Sequence, residues 1–133
     1  MWLIAQYAPV LPIPGTIGML AAGTLALTGI AIALTGVIAF RRVSTTVHPN
    51  RPEQTSALVS SGLYGISRNP MYVGLLLVLV AWSVFLSSIW SIAGPIAFVL
   101  YISRFQIIPE ERVLSAKFGE AYDSYKARVR RWL

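Results

Sequence analysis

The chain alternates two long apolar blocks with two polar segments. Residues 1–40 carry no charged side chain, and neither do residues 70–103. A helix needs about 20 apolar residues to cross a hydrocarbon core of roughly 30 Å. Residues 14–40 meet that length with room for tilt, so the pattern predicts a transmembrane helix there. The second block, 34 residues long, is too long for one crossing. It predicts a tight helical hairpin with arms at 71–85 and 90–107, turning near Leu86, Ser87 and Ser88, with Pro95 early in the return arm. Nothing basic precedes the first apolar run, and it is longer than the apolar core of a secretory signal, so we read it as a retained helix.

The flanking segments have their own punctuation. Pro9, Pro12 and Pro14 each remove a backbone donor, which predicts a short interfacial or re-entrant segment at the N-terminus, with Trp2 and Tyr7 at the membrane–water boundary. Residues 41–69 turn polar, with Pro49, Pro52, Gly62 and Gly65, and predict a long loop of the kind that carries function in a compact protein. After the hairpin, Leu114, Phe118, Tyr122, Tyr125 and Val129 recur at steps of three and four, an amphipathic stripe. Gly119 is expected to divide it into two short helices. Pro109, Glu110 and Glu111 would open the first, with acids at the positive end of its dipole. The ending Arg128, Arg130, Arg131 and Trp132 suits a helix lying on the membrane surface. Along the first helix, Gly18, Ala22, Ala26, Gly29 and Ala33 form a seam of small residues that predicts close packing against the hairpin. The expected fold is an all-α integral membrane bundle of about three transmembrane helices plus amphipathic C-terminal helices. It forms one domain over 1–133, divided at 14–40, 41–69, 70–107 and 108–133.

Composition supports the class: 56% of the residues are hydrophobic and 12% charged, against roughly 25% charged in soluble domains. The absence of cysteine excludes disulfides and thiolate metal sites. With His48 the one histidine, and one without partners in the pattern, no metal site is expected. The net charge is +6, but its distribution matters more than its total. Arg41, Arg42, Arg51 and Arg68 lie between the apolar blocks, and the other seven basic residues follow the second. Three crossings put both groups on one side, which the positive-inside rule makes cytoplasmic, with the N-terminus outside. That bias accounts for the basic residues without nucleic acid as a partner. The expected location is therefore multi-pass in the cytoplasmic membrane. So few crossings make a narrow bundle, which leaves homo-oligomerisation open.

A hairpin brings its two ends together, so Arg68, Asn69 and Tyr72 should stand near Glu110 and Glu111. Ionisable residues at the mouth of a bundle are costly unless paired or solvated, which marks them as functional candidates. The run Gly62-Leu63-Tyr64 with Arg68-Asn69-Pro70-Met71-Tyr72-Val73-Gly74, then Pro109-Glu110-Glu111, Leu114, Phe118-Gly119, Tyr122 and Tyr125, resembles the isoprenylcysteine carboxyl methyltransferase and phospholipid methyltransferase family. The likeness covers about two thirds of the chain, from roughly Val43 onwards. It implies a helical membrane protein whose C-terminal part binds S-adenosylmethionine from the cytosol and methylates a lipophilic small molecule or lipid.

On that resemblance, Arg68 would pair with the donor's carboxylate, and Glu110 or Glu111 with its ammonium group or ribose hydroxyls. Backbone around Gly62 would approach the donor closely, and Tyr64, Asn69 and Tyr72 would line the cavity. If the acceptor is protonated, one glutamate or a bound water would take the proton. Tyr122 and Tyr125 are expected to pack rather than react. Many family members read Arg-His-Pro where Asn69 stands here, which removes a titratable imidazole. The N-terminal region looks short for the family, and no prenyl-protein recognition region is visible. Two other classes stay open on the residues alone: a non-enzymatic membrane subunit with the same fold, and a membrane reductase of a lipophilic substrate, which would need basic residues to clamp a nicotinamide cofactor's phosphates.

Overall fold

A computed structural model describes residues 1–7, 9, 15–44 and 58–133, and all its elements are helical. Pro12, Pro14, His48, Pro49, Arg51 and Pro52 lie outside the described residues. A short helix α1 (Trp2–Ala5) precedes the long α2 (Gly15–Ser44). A 3₁₀ turn (Gly62–Gly65) leads into α3 (Pro70–Leu86). A second 3₁₀ turn (Ile89–Ile92) opens the return arm, which runs as α4 (Ala93–Ile102), a π-helical turn (Ser103–Ile107) and α5 (Ile108–Phe118). Helix α6 (Glu120–Arg128) ends the helical part.

The lengths fit a bilayer. Gly15–Val43 and Ile89–Phe118 are each apolar and long enough to cross, and Pro70–Leu86 is at the short end of the spanning range. Helix α3 lies against α2 along most of its length and turns back into α4. The seam of small residues is what lets α2 and α3 approach. A Cβ on Gly74 would stand on the Gly29 carbonyl oxygen, and one on Gly29 would come within 2.6 Å of the Gly74 carbonyl. Further along, a Cβ on Gly36 would meet Met71 at 2.9 Å. With no hydrophobic drive between helices in lipid, such close backbone packing supplies the association.

The hairpin turns where the pattern placed it. Ser87 closes α3 in the left-handed conformation, φ 47°. Its arms are stitched by reciprocal bonds: the Ser83 hydroxyl donates to the Ser91 carbonyl (3.0 Å) and the Ser91 hydroxyl to the Ser83 carbonyl (3.1 Å). Both serines are buried, and their hydroxyls are satisfied inside the fold as an apolar surround requires. Pro95 sits in the first turn of α4, where the missing N–H costs least.

Two expectations about the C-terminal third change. Pro109 does not open a separate helix, so Glu110 and Glu111 do not sit at a free helix N-terminus. The return arm continues through the π turn, whose Ile108 N–H bonds back to the Ser103 carbonyl. A proline removes one donor and presses its ring on the carbonyl four residues earlier; the wider π turn immediately upstream absorbs both. The stripe does split at Gly119, whose positive φ of 54° ends α5. Its apolar side, however, is turned inward: Tyr122, Tyr125 and Val129 are buried together, with Leu58, Leu114 and Phe118 packed on them. Helix α6 stops at Arg128, and residues 129–133 run back towards the start of α3 instead of extending a surface helix.

Candidate functional site at the mouth of the hairpin

The site forms at the end of the bundle where α2 stops, α3 starts and α5 and α6 fold over. Tyr64, on the first 3₁₀ turn, is buried against α2, its hydroxyl 3.5 Å from the Gly36 carbonyl that accepts from it. Tyr125 fastens α6 to the same turn by donating to the Tyr64 carbonyl at 2.7 Å. The chain after α6 then pairs with the run into α3. Ser67 and Arg130 form a parallel bridge, and the Arg68 N–H donates to the Arg130 carbonyl at 2.9 Å. Asn69 precedes α3, yet its side chain does not cap that helix; its amide donates to the Arg131 carbonyl at 3.0 Å.

Those bonds place a charged triad. Arg131 grips Glu111 with both ends of its fork, Nε to Oε1 at 3.0 Å and Nη2 to Oε2 at 2.7 Å. Arg68 Nη1 stands 3.1 Å from the same Glu111 Oε1, and both side chains are largely buried, 10% and 14% exposed. The Arg68 approach is out of line for hydrogen bonding, so its Nε and Nη1 are buried without a hydrogen-bond partner. Nη1 is still ion-paired with Glu111, and the guanidinium also hydrogen-bonds Tyr122, so Nε is the donor left without any acceptor, at a cost of about 1–3 kcal/mol, which leaves Arg68 able to take a further acceptor. Glu110, the next residue round the helix, faces elsewhere. Its Oε1 accepts from the Tyr72 hydroxyl at 3.3 Å and from Gln106 Nε2 at 2.6 Å.

Two adjoining cavities meet at Tyr64, Arg68, Asn69 and Glu110. The inner one, about 220 Å³, is closed by Ile107, Glu111, Tyr122 and Tyr125. The outer one, about 560 Å³, is bordered by Met71, Tyr72 and Pro109. Phe40, Val113 and Leu114 give both an apolar wall. The phenols around the inner cavity are held as neutral donors. Burial, then Glu110, pushes the Tyr64 hydroxyl up. Burial and Glu111 raise Tyr122, partly opposed by Arg68 beside it. Tyr125 is pushed up to about 12, chiefly by burial. Hydrogen bonding to Glu111 holds the Arg131 guanidinium above its ordinary value.

Of the residues singled out in the sequence, Tyr64, Arg68, Asn69, Glu110 and Glu111 line the inner cavity and Tyr72 the outer one. Gly62 lines neither; its amide stands at the exposed start of the 3₁₀ turn. Two polar residues at the site were not anticipated. Gln106 lies four residues before Glu110, a helical spacing visible in the sequence once the arm is known to continue past Pro109. Arg131 read as one of several basic residues near a membrane, and nothing local distinguishes it.

Residues 17–121 match the phospholipid methyltransferase family. An uncharacterized protein of Haemophilus influenzae is 49% identical over 63 residues, 47% of this chain and the whole of that protein. Protein-S-isoprenylcysteine O-methyltransferase B of Arabidopsis thaliana is 35% identical over 109 residues, 80% of this chain and 54% of that protein. This chain thus spans about half the length of the plant relative. The apolar helices, the order of the motifs and the extent of the match agree: the chain belongs to the phospholipid methyltransferase family of membrane methyltransferases.

Proposed function

We propose that the chain is an S-adenosylmethionine-dependent methyltransferase that acts on a lipophilic small molecule or lipid, with its site facing the cytosol. The observation that carries this reading is Arg68: a guanidinium nine-tenths buried on a cavity wall, with two nitrogens lacking hydrogen-bond partners and carboxylates close by. Such a donor set suits a ligand that brings its own carboxylate together with positive charge, as this methyl donor does. Bound S-adenosylmethionine supplies an electrophilic methyl group on a sulfonium.

The chain's own residues divide the remaining work. Arg68 holds the donor carboxylate, and Glu110 offers a carboxylate to its ammonium group or ribose. Tyr64 and Asn69 complete the wall between the two cavities. Methyl transfer is a displacement in which positioning dominates, and holding two reactants in line can account for several kcal/mol of the barrier, roughly 7–11 in favourable cases. Glu110 also borders the outer cavity, where an acceptor approaching from the apolar side would arrive. Held by Tyr72 and Gln106 through one oxygen, it keeps the other for the donor, and a proton leaving the acceptor passes to a bound water. Glu111, held between two arginines, is suited to arranging charge.

Calorimetric titration of the detergent-purified protein with S-adenosylmethionine tests the reading. Saturable binding that Arg68→Ala weakens by roughly tenfold or more, the scale of one charged hydrogen-bonded contact, is the expected result. A folded wild-type protein that binds no donor would sink it and favour a non-enzymatic subunit.

A further inference from the structure

We infer that Arg131 is a positioning residue for donor binding: by taking both oxygens of Glu111, it keeps that carboxylate from satisfying Arg68 and so leaves Arg68 open to an incoming carboxylate. The inference rests on the donor reading above and adds to it a residue that touches no ligand.

Glu111 has two cationic neighbours and divides itself unequally between them. Arg131 receives a bidentate pair, at 3.0 and 2.7 Å, whereas Arg68 Nη1 lies 3.1 Å from a shared oxygen without hydrogen-bonding geometry. Bidentate arginine–carboxylate pairs are the stronger and more directional arrangement. Were Arg131 absent, the one cation beside Glu111 would be Arg68, and a carboxylate that is 14% exposed would turn to pair with it. Arg68 would then be occupied from within.

The rest of the C-terminal run serves this placement. Residues 129–133 are laid beside the approach to α3 by the Ser67–Arg130 bridge and the Arg68 N–H bond to the Arg130 carbonyl. Asn69 fixes the next carbonyl, that of Arg131 itself, at 3.0 Å. The backbone on either side of the Arg131 Cα is thus tied down, which points its side chain across to α5. Asn69 therefore acts through Arg131 as well as on the cavity wall. An amide suits that bond at any physiological pH, since it needs a donor and no titration.

The triad makes a prediction that a merely structural role would not. Titrate the full-length protein in detergent with S-adenosylmethionine and, separately, with its decarboxylated analogue, which lacks only the group assigned to Arg68. Wild type should prefer the carboxylate-bearing ligand by roughly tenfold or more, and Arg68→Ala should abolish the preference. Arg131→Ala should lose most of the preference while still binding the decarboxylated ligand. The double variant Glu111→Gln with Arg131→Ala, in which the internal competitor is also gone, should regain it. Equal weakening of both ligands in Arg131→Ala, or an undiminished preference, overturns the inference while leaving the donor reading intact. Absence of binding by folded wild type overturns both. Should Arg131→Ala not fold by circular dichroism, Arg131→Lys carries the same test. An ammonium cannot hold both oxygens in a fixed fork, so part of the preference should go, and its full retention overturns the inference equally.

Discussion

Tyr125 shows how a single phenol joins the fold to the site. It is 3% exposed, donates to the Tyr64 carbonyl and lines the inner cavity. Tyr125→Phe keeps the ring but strands that carbonyl, and should cost about 1–3 kcal/mol of stability, read from thermal unfolding in detergent. The pH dependence follows from the raised pKa. A phenol titrating near 10 when unfolded and at about 12 when folded binds its proton more tightly in the native state. Its contribution is fully present below pH 10 and is lost as pH rises from about 10 to about 12. Wild type should therefore lose stability across that window, and Tyr125→Phe should lose less. Equal slopes would show that Tyr125 does not carry the alkaline limb. The same residue scale explains why Glu110 and Glu111 differ. Neighbours on a helix point about 100° apart, so one faces Tyr72 and Gln106 and the other the two arginines.

Among the elements, the contact of α2 with α3 is the one most exposed to small changes. Gly74 has the Gly29 carbonyl and the Ala33 backbone where a side chain would be. Gly74→Ala should force the helices apart and cost about 1–3 kcal/mol, occasionally more. Gly23, on the same α2, has nothing within 4 Å, so Gly23→Ala should be neutral or slightly stabilising. Thermal unfolding of the two variants side by side checks the seam, and equal stabilities would refute it. The seam was legible in the sequence because small residues at helical spacing have few other reasons to recur in a span. The course of the return arm was less legible. Pro109 followed by two acids is also how a new helix starts, and only the π turn distinguishes continuation from restart.

For the whole molecule, the basic ends of α2 and of the C-terminal third gather at the end of the bundle that holds the site. On the positive-inside rule we propose that this end faces the cytosol, where the proposed donor is made available. A chain without cysteine permits a clean check by single-cysteine labelling. In intact cells a membrane-impermeant maleimide should label Ile89→Cys, at the opposite end of the hairpin, and should reach Ser124→Cys on α6 only after lysis. The reverse pattern would turn the site outward and remove it from a cytosolic donor.

What the residues alone determined is the class, the apolar helices and which side chains gather at the mouth of the hairpin. A bilayer demands long apolar helices with satisfied backbones, so hydropathy and charge asymmetry are read almost directly. A hairpin must return its ends to one place, and that alone brings Arg68 and Tyr72 to the two glutamates. The tertiary structure alone decided which partners each glutamate keeps and what the last residues do. Basic side chains beside a membrane read alike, and the direction of the chain after Gly119 depends on one backbone conformation that no periodicity encodes. That turn carries α6 and residues 129–133 back over the cavity, makes Arg131 the partner of Glu111, and leaves Arg68 Nε without an acceptor.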